Sequence, residues 1–166
     1  IYTTEDRKGD GLFLGMSIRD NISISTLEKF CKNGVIRKGE EKASTNKYIQ
    51  ELEVKCADAD QAVGELSGGN QQKVMIARAM LANAKVIIID EPTRGVDVGT
   101  KTEIYKIVRG FAEQGCAVIV ISSELPEVIG LSDRILVMHE GIVTGEVQGD
   151  EASEQRILTY ATGGEK

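Results

Sequence analysis

Apolar positions along this chain are sparse at first, become helical in spacing, and then turn abruptly continuous, and those changes predict its elements. The stretch from Glu5 to Gly15 is polar and glycine-rich and reads as a loop. Ser17 stands three residues before Asp20, where its hydroxyl would cap a short helix, and the Asn33-Gly34 pair marks a turn. From about Glu40 to Glu53 good helix formers predominate, with Tyr48, Ile49 and Leu52 as one apolar face. A further helix is predicted from Ser67, a favoured N-cap residue, because Val74, Ala77 and Leu81 follow at helical spacing.

The period then shortens. Val86 to Ile89 is a continuous β-branched run closing in Asp90-Glu91-Pro92, which predicts a strand buried on both faces with acids at its C-terminal tip. Ile104, Ile107, Val108 and Phe111 form a helical stripe, and Ala117 to Ile121 is a second strand of the buried type. Strand, helix and strand in succession imply a right-handed parallel crossover. Beyond it come a short helical turn over Pro126 to Leu131, a hairpin of Arg134 to His139 and Ile142 to Val147 around Glu140-Gly141, and a last helix over Glu151 to Ala161. The opening, Ile1 followed by Tyr-Thr-Thr-Glu-Asp, reads as cut from a longer protein.

Composition narrows the classes. The 166 residues, 41% apolar and 28% charged, suffice for one ordinary globular domain. A formal charge of -6 gives no basic footprint for nucleic acid. Cys31, Cys56 and Cys116 are odd in number and widely spaced, which suits reduced thiols rather than a disulfide or zinc framework. No run approaches the roughly 18 apolar residues of a membrane span, so any membrane role is expected to be peripheral.

Two segments carry candidate chemistry. In open parallel sheets ligands collect at the carboxyl ends of strands, where Asp90 could hold Mg²⁺ and Glu91 could orient or deprotonate a water. Taken alone, the string fits a helix N-cap and turn acid more readily than a metal site. Leu66-Ser67-Gly68-Gly69-Asn70-Gln71-Gln72 joins a hydroxyl cap and two glycines to a helix N-terminus, which suits either a phosphate or a plainly capped helix.

Residues 66–72 resemble the signature motif of ATP-binding-cassette ATPases, residues 86–93 resemble their Walker B motif, and Arg94-Gly95-Val96-Asp97 resembles the D-loop. The Asn-Gln-Gln ending, Glu5-Asp6-Arg7-Lys8-Gly9 and Ile121-Ser122-Ser123-Glu124-Leu125-Pro126-Glu127 are similar to the second half of the tandem ATPases of monosaccharide importers, the ribose importers above all. The resemblance implies a truncated P-loop α/β fold, with a helical signature subdomain over residues 1–84 and the later part of the parallel-sheet core, with terminal hairpin and helix, over 85–166.

It also implies ATP and Mg²⁺ as cofactors. Ser67, Gly68 and Gly69 would face the γ-phosphate of ATP held by the opposite half, Asn70 and Gln71 would also belong to the nucleotide-binding set, and Asp97 would link the two sites. Asp90 and Glu5 would serve the metal, with Glu5 also near the nucleotide at the glutamine-loop position. Glu91 would serve the water, and Ser123 would take the place of the switch histidine. The implied partners are the other nucleotide-binding half of the same protein, transmembrane permease subunits and, indirectly, a periplasmic or extracellular sugar-binding protein, with no nucleic acid. The implied location is cytoplasmic, on the inner face of the membrane.

Three departures qualify this picture. Serine lacks the charge and reach of histidine, and glutamate adds negative charge beside phosphate, so the site of Asp90 and Glu91 is expected to be the weaker of two. The sole histidine, His139, falls at the predicted hairpin and reads as structural. A phosphate loop of the form G-x-x-x-x-G-K-[ST] is absent, Gly34 and Gly39 being followed by Glu40 in place of lysine. These residues alone are therefore expected to bind ATP poorly, and the strand at Ala117 to Ile121 to present an edge open to self-association. The leading reading is an ATPase coupling hydrolysis to sugar import. Its rivals are a non-catalytic half that braces an active one and docks the permease, and a soluble cassette ATPase acting on ribosomes or DNA.

Overall fold

The computed structural model describes residues 1–164, and their contacts divide the chain into two compact units, Ile1–Ile119 and Val120–Lys166. The first unit begins with a two-residue strand, β1 (Tyr2–Thr3), followed by a single π turn over Arg7–Gly11. Helices α1 (Ile18–Ser23), α2 (Lys38–Glu51) and α3 (Gly68–Ala82) follow, with a short hairpin of β2 (Cys31–Lys32) and β3 (Val35–Ile36) between the first two. Then come β4 (Val86–Asp90), α4 (Val98–Glu113) and β5 (Ala117–Ile121), in a sheet ordered β1-β4-β5.

Local chemistry accounts for most boundaries. Ser17 caps α1 by accepting from the Asp20 amide, and Ser67 caps α3 by accepting from the Asn70 amide, each satisfying an otherwise orphaned N–H. Asn33 and Gly34 both take positive φ, 52° and 77°, the pair of left-handed residues that a tight two-residue hairpin requires. Asn83 ends α3 in the left-handed conformation, with φ 53°.

The interior of this unit is more polar than the sequence pattern predicts. Ile18, Ile22, Val63, Val74 and Ile76 are wholly buried, but so is Asn21. Asn21 accepts from the Phe13 amide at 2.9 Å and donates to the Ser17 carbonyl at 3.0 Å, and Arg78 donates to its backbone carbonyl at 2.7 Å. The predicted apolar face of α2 buries only Leu52 fully. Its deepest positions on the helix are Glu41, which accepts from the Ser23 hydroxyl at 2.6 Å, and Thr45. Lys73 of α3 is buried too, pairing with Glu103 of α4 at 2.8 Å and donating to the Glu53 carbonyl at 3.2 Å. Every one of these groups is hydrogen-bonded, which is the condition for polar burial at tolerable cost.

Two strand expectations need correction. Ile87 and Ile89 of β4 are fully buried, but Val86 on the alternate face is 46% exposed, and β5 exposes Ile119 and Ile121. Both strands show the period-2 alternation of a sheet covered on one face rather than two. The opening residues, for which the sequence predicts no element, form a strand, since Tyr2 and Thr3 pair in parallel with Ile88 and Ile89.

The second unit is a hairpin of β6 (Arg134–His139) and β7 (Ile142–Gln148), with α5 (Leu125–Leu131) before it and α6 (Glu154–Ala161) after. Ile135, Val137, Val147 and Ile157 form its core. A Cβ at Gly145 would come within 2.4 Å of the Tyr160 ring, so the strand is bare there to admit an aromatic. His139 closes β6 opposite Ile142, a strand position in keeping with a structural role. The predicted last helix starts three residues late, because a 3₁₀ turn over Gly149–Glu151 precedes the Ser153 cap. The division expected at residue 84 separates parts by their role in a cassette, whereas the contact boundary falls inside β5.

Candidate functional site

The candidate site is assembled in the first unit, where β4 ends, α3 begins and α4 begins. Asp90 is the last residue of β4, half-buried, and its Oδ2 accepts from the Tyr2 hydroxyl at 2.7 Å. That bond raises the Tyr2 pKa, since losing the phenolic proton would set two anions together. Glu91 follows at φ 47°, a left-handed backbone that is costly for a residue with a Cβ and doubly so before Pro92. The chain leaves the strand line at this residue.

Ser67, Gly68 and Gly69 form the turn into α3. Ser67 is exposed, and its Oγ also accepts from the Asn70 side-chain amide at 2.9 Å, while Asn70 Oδ1 accepts from the Lys55 amide at 2.8 Å. Asn70 therefore ties the turn down on both sides. A Cβ at Gly68 would stand 3.1 Å from the Gly95 carbonyl oxygen, and one at Gly69 would stand 2.7 Å from Thr100 Cγ2. The two glycines are needed because the segment after β4 approaches this closely.

Gln71 is placed differently from its neighbours. It is 2% exposed, its Nε2 donates to the Val63 carbonyl at 3.3 Å, and its side chain serves the interior rather than an approaching ligand. A nucleotide contact from the Gln71 side chain would first require releasing that bond. Gln72 is equally buried.

Asp97 is the N-cap of α4, accepting from the Thr100 hydroxyl at 2.7 Å and the Thr100 amide at 3.0 Å. Donation by the Thr100 hydroxyl, and next by its amide, lowers the Asp97 pKa below the ordinary carboxylate value. Stability from this cap is present above about pH 4, where an unfolded aspartate is ionised, and is lost as pH falls through the depressed native value. Asp97→Asn is thus expected to flatten the acid limb of stability, so that its urea midpoint falls less than the wild-type midpoint between pH 6 and pH 3. Parallel curves would remove Asp97 from the linkage.

Glu5 is not left free for a ligand. Its carboxylate pairs with the Arg94 guanidinium, which offsets the negative charge the sequence places there. Any metal role for Glu5 would first require breaking that pair. Asp90 fits Mg²⁺ better, since a half-exposed strand-end carboxylate with one oxygen engaged by Tyr2 suits an ion that takes one or two carboxylates and keeps its waters. Among the described residues no group of three or more His, Cys, Asp or Glu side chains is gathered for a metal. Ser123 lies in the second unit, exposed, between β5 and α5, where the Ser122 hydroxyl accepts from the Glu124 amide at 3.0 Å. Tyr2, Arg7 and Thr100 join the site without a signal in the sequence pattern, because each meets a residue distant in sequence: Tyr2 meets Asp90, Arg7 meets Gln72 and Arg94, and Thr100 packs on Gly69.

A capped glycine turn at a helix start, packed on the loop that follows a strand-end acid pair, is the arrangement of part of a nucleotide-binding cassette. The chain belongs to the ABC transporter family, whose model matches residues 2–94. It is 50% identical over 163 residues to the ribose import ATP-binding protein RbsA of Oceanobacillus iheyensis, covering 98% of this chain and 33% of that protein. It is 48% identical over 166 residues to the protein of the same name from Caldanaerobacter subterraneus subsp. tengcongensis, covering 99% and 34%. The chain thus spans about a third of the length of these relatives.

Solved structures agree on the fold. An ATP-binding cassette of an ABC transporter superposes with a TM-score of 0.76 at 24% identity, over 96% of this chain and 67% of that one. A dimeric cassette in a post-hydrolysis state, bound to ADP and Pi, gives 0.75 at 24% identity over 89% and 61%. The fold is that of the P-loop ABC ATPases, an α/β arrangement with a parallel sheet pair at its centre.

Proposed function

We propose that this chain is the signature-bearing part of the ATP-hydrolysing component of a sugar importer, with ribose as the sugar, coupling hydrolysis to transport through a permease. The observation that carries the reading is the close packing of the Gly68-Gly69 turn on the Gly95 to Thr100 segment that follows the Asp90-Glu91 tip. Free N–H groups and the positive end of α3 suit the γ-phosphate of ATP held by an opposite half. Asp90 is the residue that would hold Mg²⁺, which when bound would neutralise charge on the phosphates. Glu91 would orient or deprotonate the attacking water, and Asp97 would reach the other half. Ser123, in the place of a switch histidine, makes this chain's own acid pair the weaker site. Residues 1–84 would act as the helical signature subdomain and 85–166 as the later core.

The partners in this reading are a second nucleotide-binding half, permease subunits and, through them, a sugar-binding protein. The location is the cytoplasmic face of the membrane, held peripherally, in keeping with the lack of a helix long and apolar enough to cross a bilayer among the described residues. The outer edge of β5 is the place where another strand would pair. The non-catalytic reading, a half that braces its partner, draws on the engaged Glu5 and on Ser123.

The test is ATP hydrolysis by the full-length protein reconstituted with its permease, which ribose and its binding protein should stimulate. Residues 1–166, if folded by circular dichroism, are expected to hydrolyse ATP negligibly and to bind it no tighter than about millimolar, since no Walker lysine is present. Saturable micromolar binding by calorimetry would overturn that expectation, and hydrolysis indifferent to any sugar would favour the bracing role.

A further inference from the structure

Arg7 stands apart from the other cations of the first unit. It is half-buried at the start of the π turn, whose N-cap Asp6 accepts from the Lys8 and Gly9 amides, so the backbone that presents it is fixed. Its Nη1 donates to the Arg94 carbonyl at 2.6 Å and to Gln72 Oε1 at 3.4 Å. Its Nη2 lies 3.2 Å from where a Cβ would stand on Gly95 and 3.5 Å from where one would stand on Gly68. Among the described residues it makes no ion pair, and burial lowers its pKa.

A cation taken partly out of water and given only neutral acceptors is a poor device for stability, since an apolar side chain of similar volume would fill the space at less cost. What the planar guanidinium supplies is direction, with Nη1 shared between the Arg94 carbonyl and Gln72 while Nη2 is held in the same plane beside Gly68 and Gly95. Two residues upstream, Glu5 grips the side chain of the same Arg94 whose carbonyl Arg7 holds. The segment from Glu5 to Arg7 therefore clasps the loop after β4 by both its backbone and its side chain, and Gln72 extends the clasp to α3.

We propose that Arg7 is a positioning residue that sets the spacing between the Gly68 turn and the Gly95 loop, so that any displacement of residues 5–7 is passed to both. The inference rests on the reading that the Gly68 turn faces a nucleotide, but the clasp can be measured apart from it. The hydrogen bonds of Arg7 go to Arg94 and Gln72, neither of which is a proposed nucleotide contact, so its loss should lower turnover and change ATP affinity little.

The experiment uses the full-length protein with its permease. Arg7→Ala is expected to lower kcat about tenfold with KM for ATP within about twofold, and to speed amide hydrogen exchange of residues 67–70 and 95–97 about tenfold or more. Arg7→Lys, which keeps the charge and can keep the bond to the Arg94 carbonyl without the planar group, should recover kcat to within about threefold of wild type. Arg94→Ala, which retains the carbonyl acceptor and loses only the Glu5 pair, should change both readouts less than Arg7→Ala. Should Arg7→Ala be insoluble, Arg7→Lys and Arg7→Gln carry the exchange measurement, with Arg7→Gln the faster-exchanging of the two. Unchanged exchange and turnover in an active wild-type background would overturn the clasp, as would a raised KM at constant kcat, the mark of a direct ligand contact. Faster exchange in a protein that hydrolyses no ATP at all would instead retain the clasp and reject the proposed function.

Discussion

Ser67→Arg is expected to reduce permease-stimulated ATP hydrolysis of the full-length protein by about two orders of magnitude, the loss typical when an oriented donor set facing a transferring group is disabled. Three effects act together. The hydroxyl that accepts from the Asn70 amide and from its side chain is lost, which removes the cap of α3. A guanidinium is set against the positive end of the helix, where it is repelled. Its bulk also occupies the exposed approach to the Gly68-Gly69 turn. Glu91→Gln, by contrast, is expected to cost less than about fivefold, if, as proposed, the acid pair belongs to a site weakened by serine at the switch position. Circular dichroism checks that both variants fold, and equal losses from the two substitutions would sink the asymmetry.

Gly69→Ala should destabilise the protein by about 1–3 kcal/mol, the usual cost of forcing a methyl group into filled space. The new Cβ would meet Thr100 Cγ2 at 2.7 Å and Oγ1 at 3.1 Å, and Thr100 cannot retreat without loosening its two bonds to Asp97. Thr100→Ser removes the offending methyl and keeps the hydroxyl that Asp97 needs. The double substitution Gly69→Ala with Thr100→Ser is therefore expected to regain more than half of the loss in urea denaturation, a coupling measured by the double-mutant cycle. A strictly additive double variant would mean that the two loops are not in contact as described.

How much of this was legible beforehand depended on whether a feature was written in one stretch of chain. The caps at Ser17 and Ser67, the Asn33-Gly34 turn, the acids closing β4 and the stripe of Ile104 and Val108 all follow from neighbours in sequence, and the structure reproduces them. The same holds for the class of the site, since the glycine turn and the acid pair are contiguous motifs.

Features made by distant partners were not legible. Tyr2–Thr3 is too short and too polar to announce a strand, and it becomes one only because β4 lies alongside. Glu41, Thr45, Gln71 and Lys73 carry polar side chains that periodicity assigns to solvent, and each is drawn inside by a hydrogen bond to another element or to its own helix. Val86 and Ile119 belong to runs that read as doubly covered, yet coverage is a property of neighbouring layers and not of the strand. The grip of Arg7 on the loop after β4 is of the same kind, for nothing near residue 7 points to residue 94.

The left-handed turn of the backbone at Glu91 sets the chemistry proposed for this position against the stability of the fold. Glycine would relax that bend, and a screen for heat tolerance would welcome it there. The relaxed chain would then carry no carboxylate at the point where the sheet hands over to the loop. The bend is thus a cost that the proposed role of Glu91 would account for, carried in the main chain and not in the side chain.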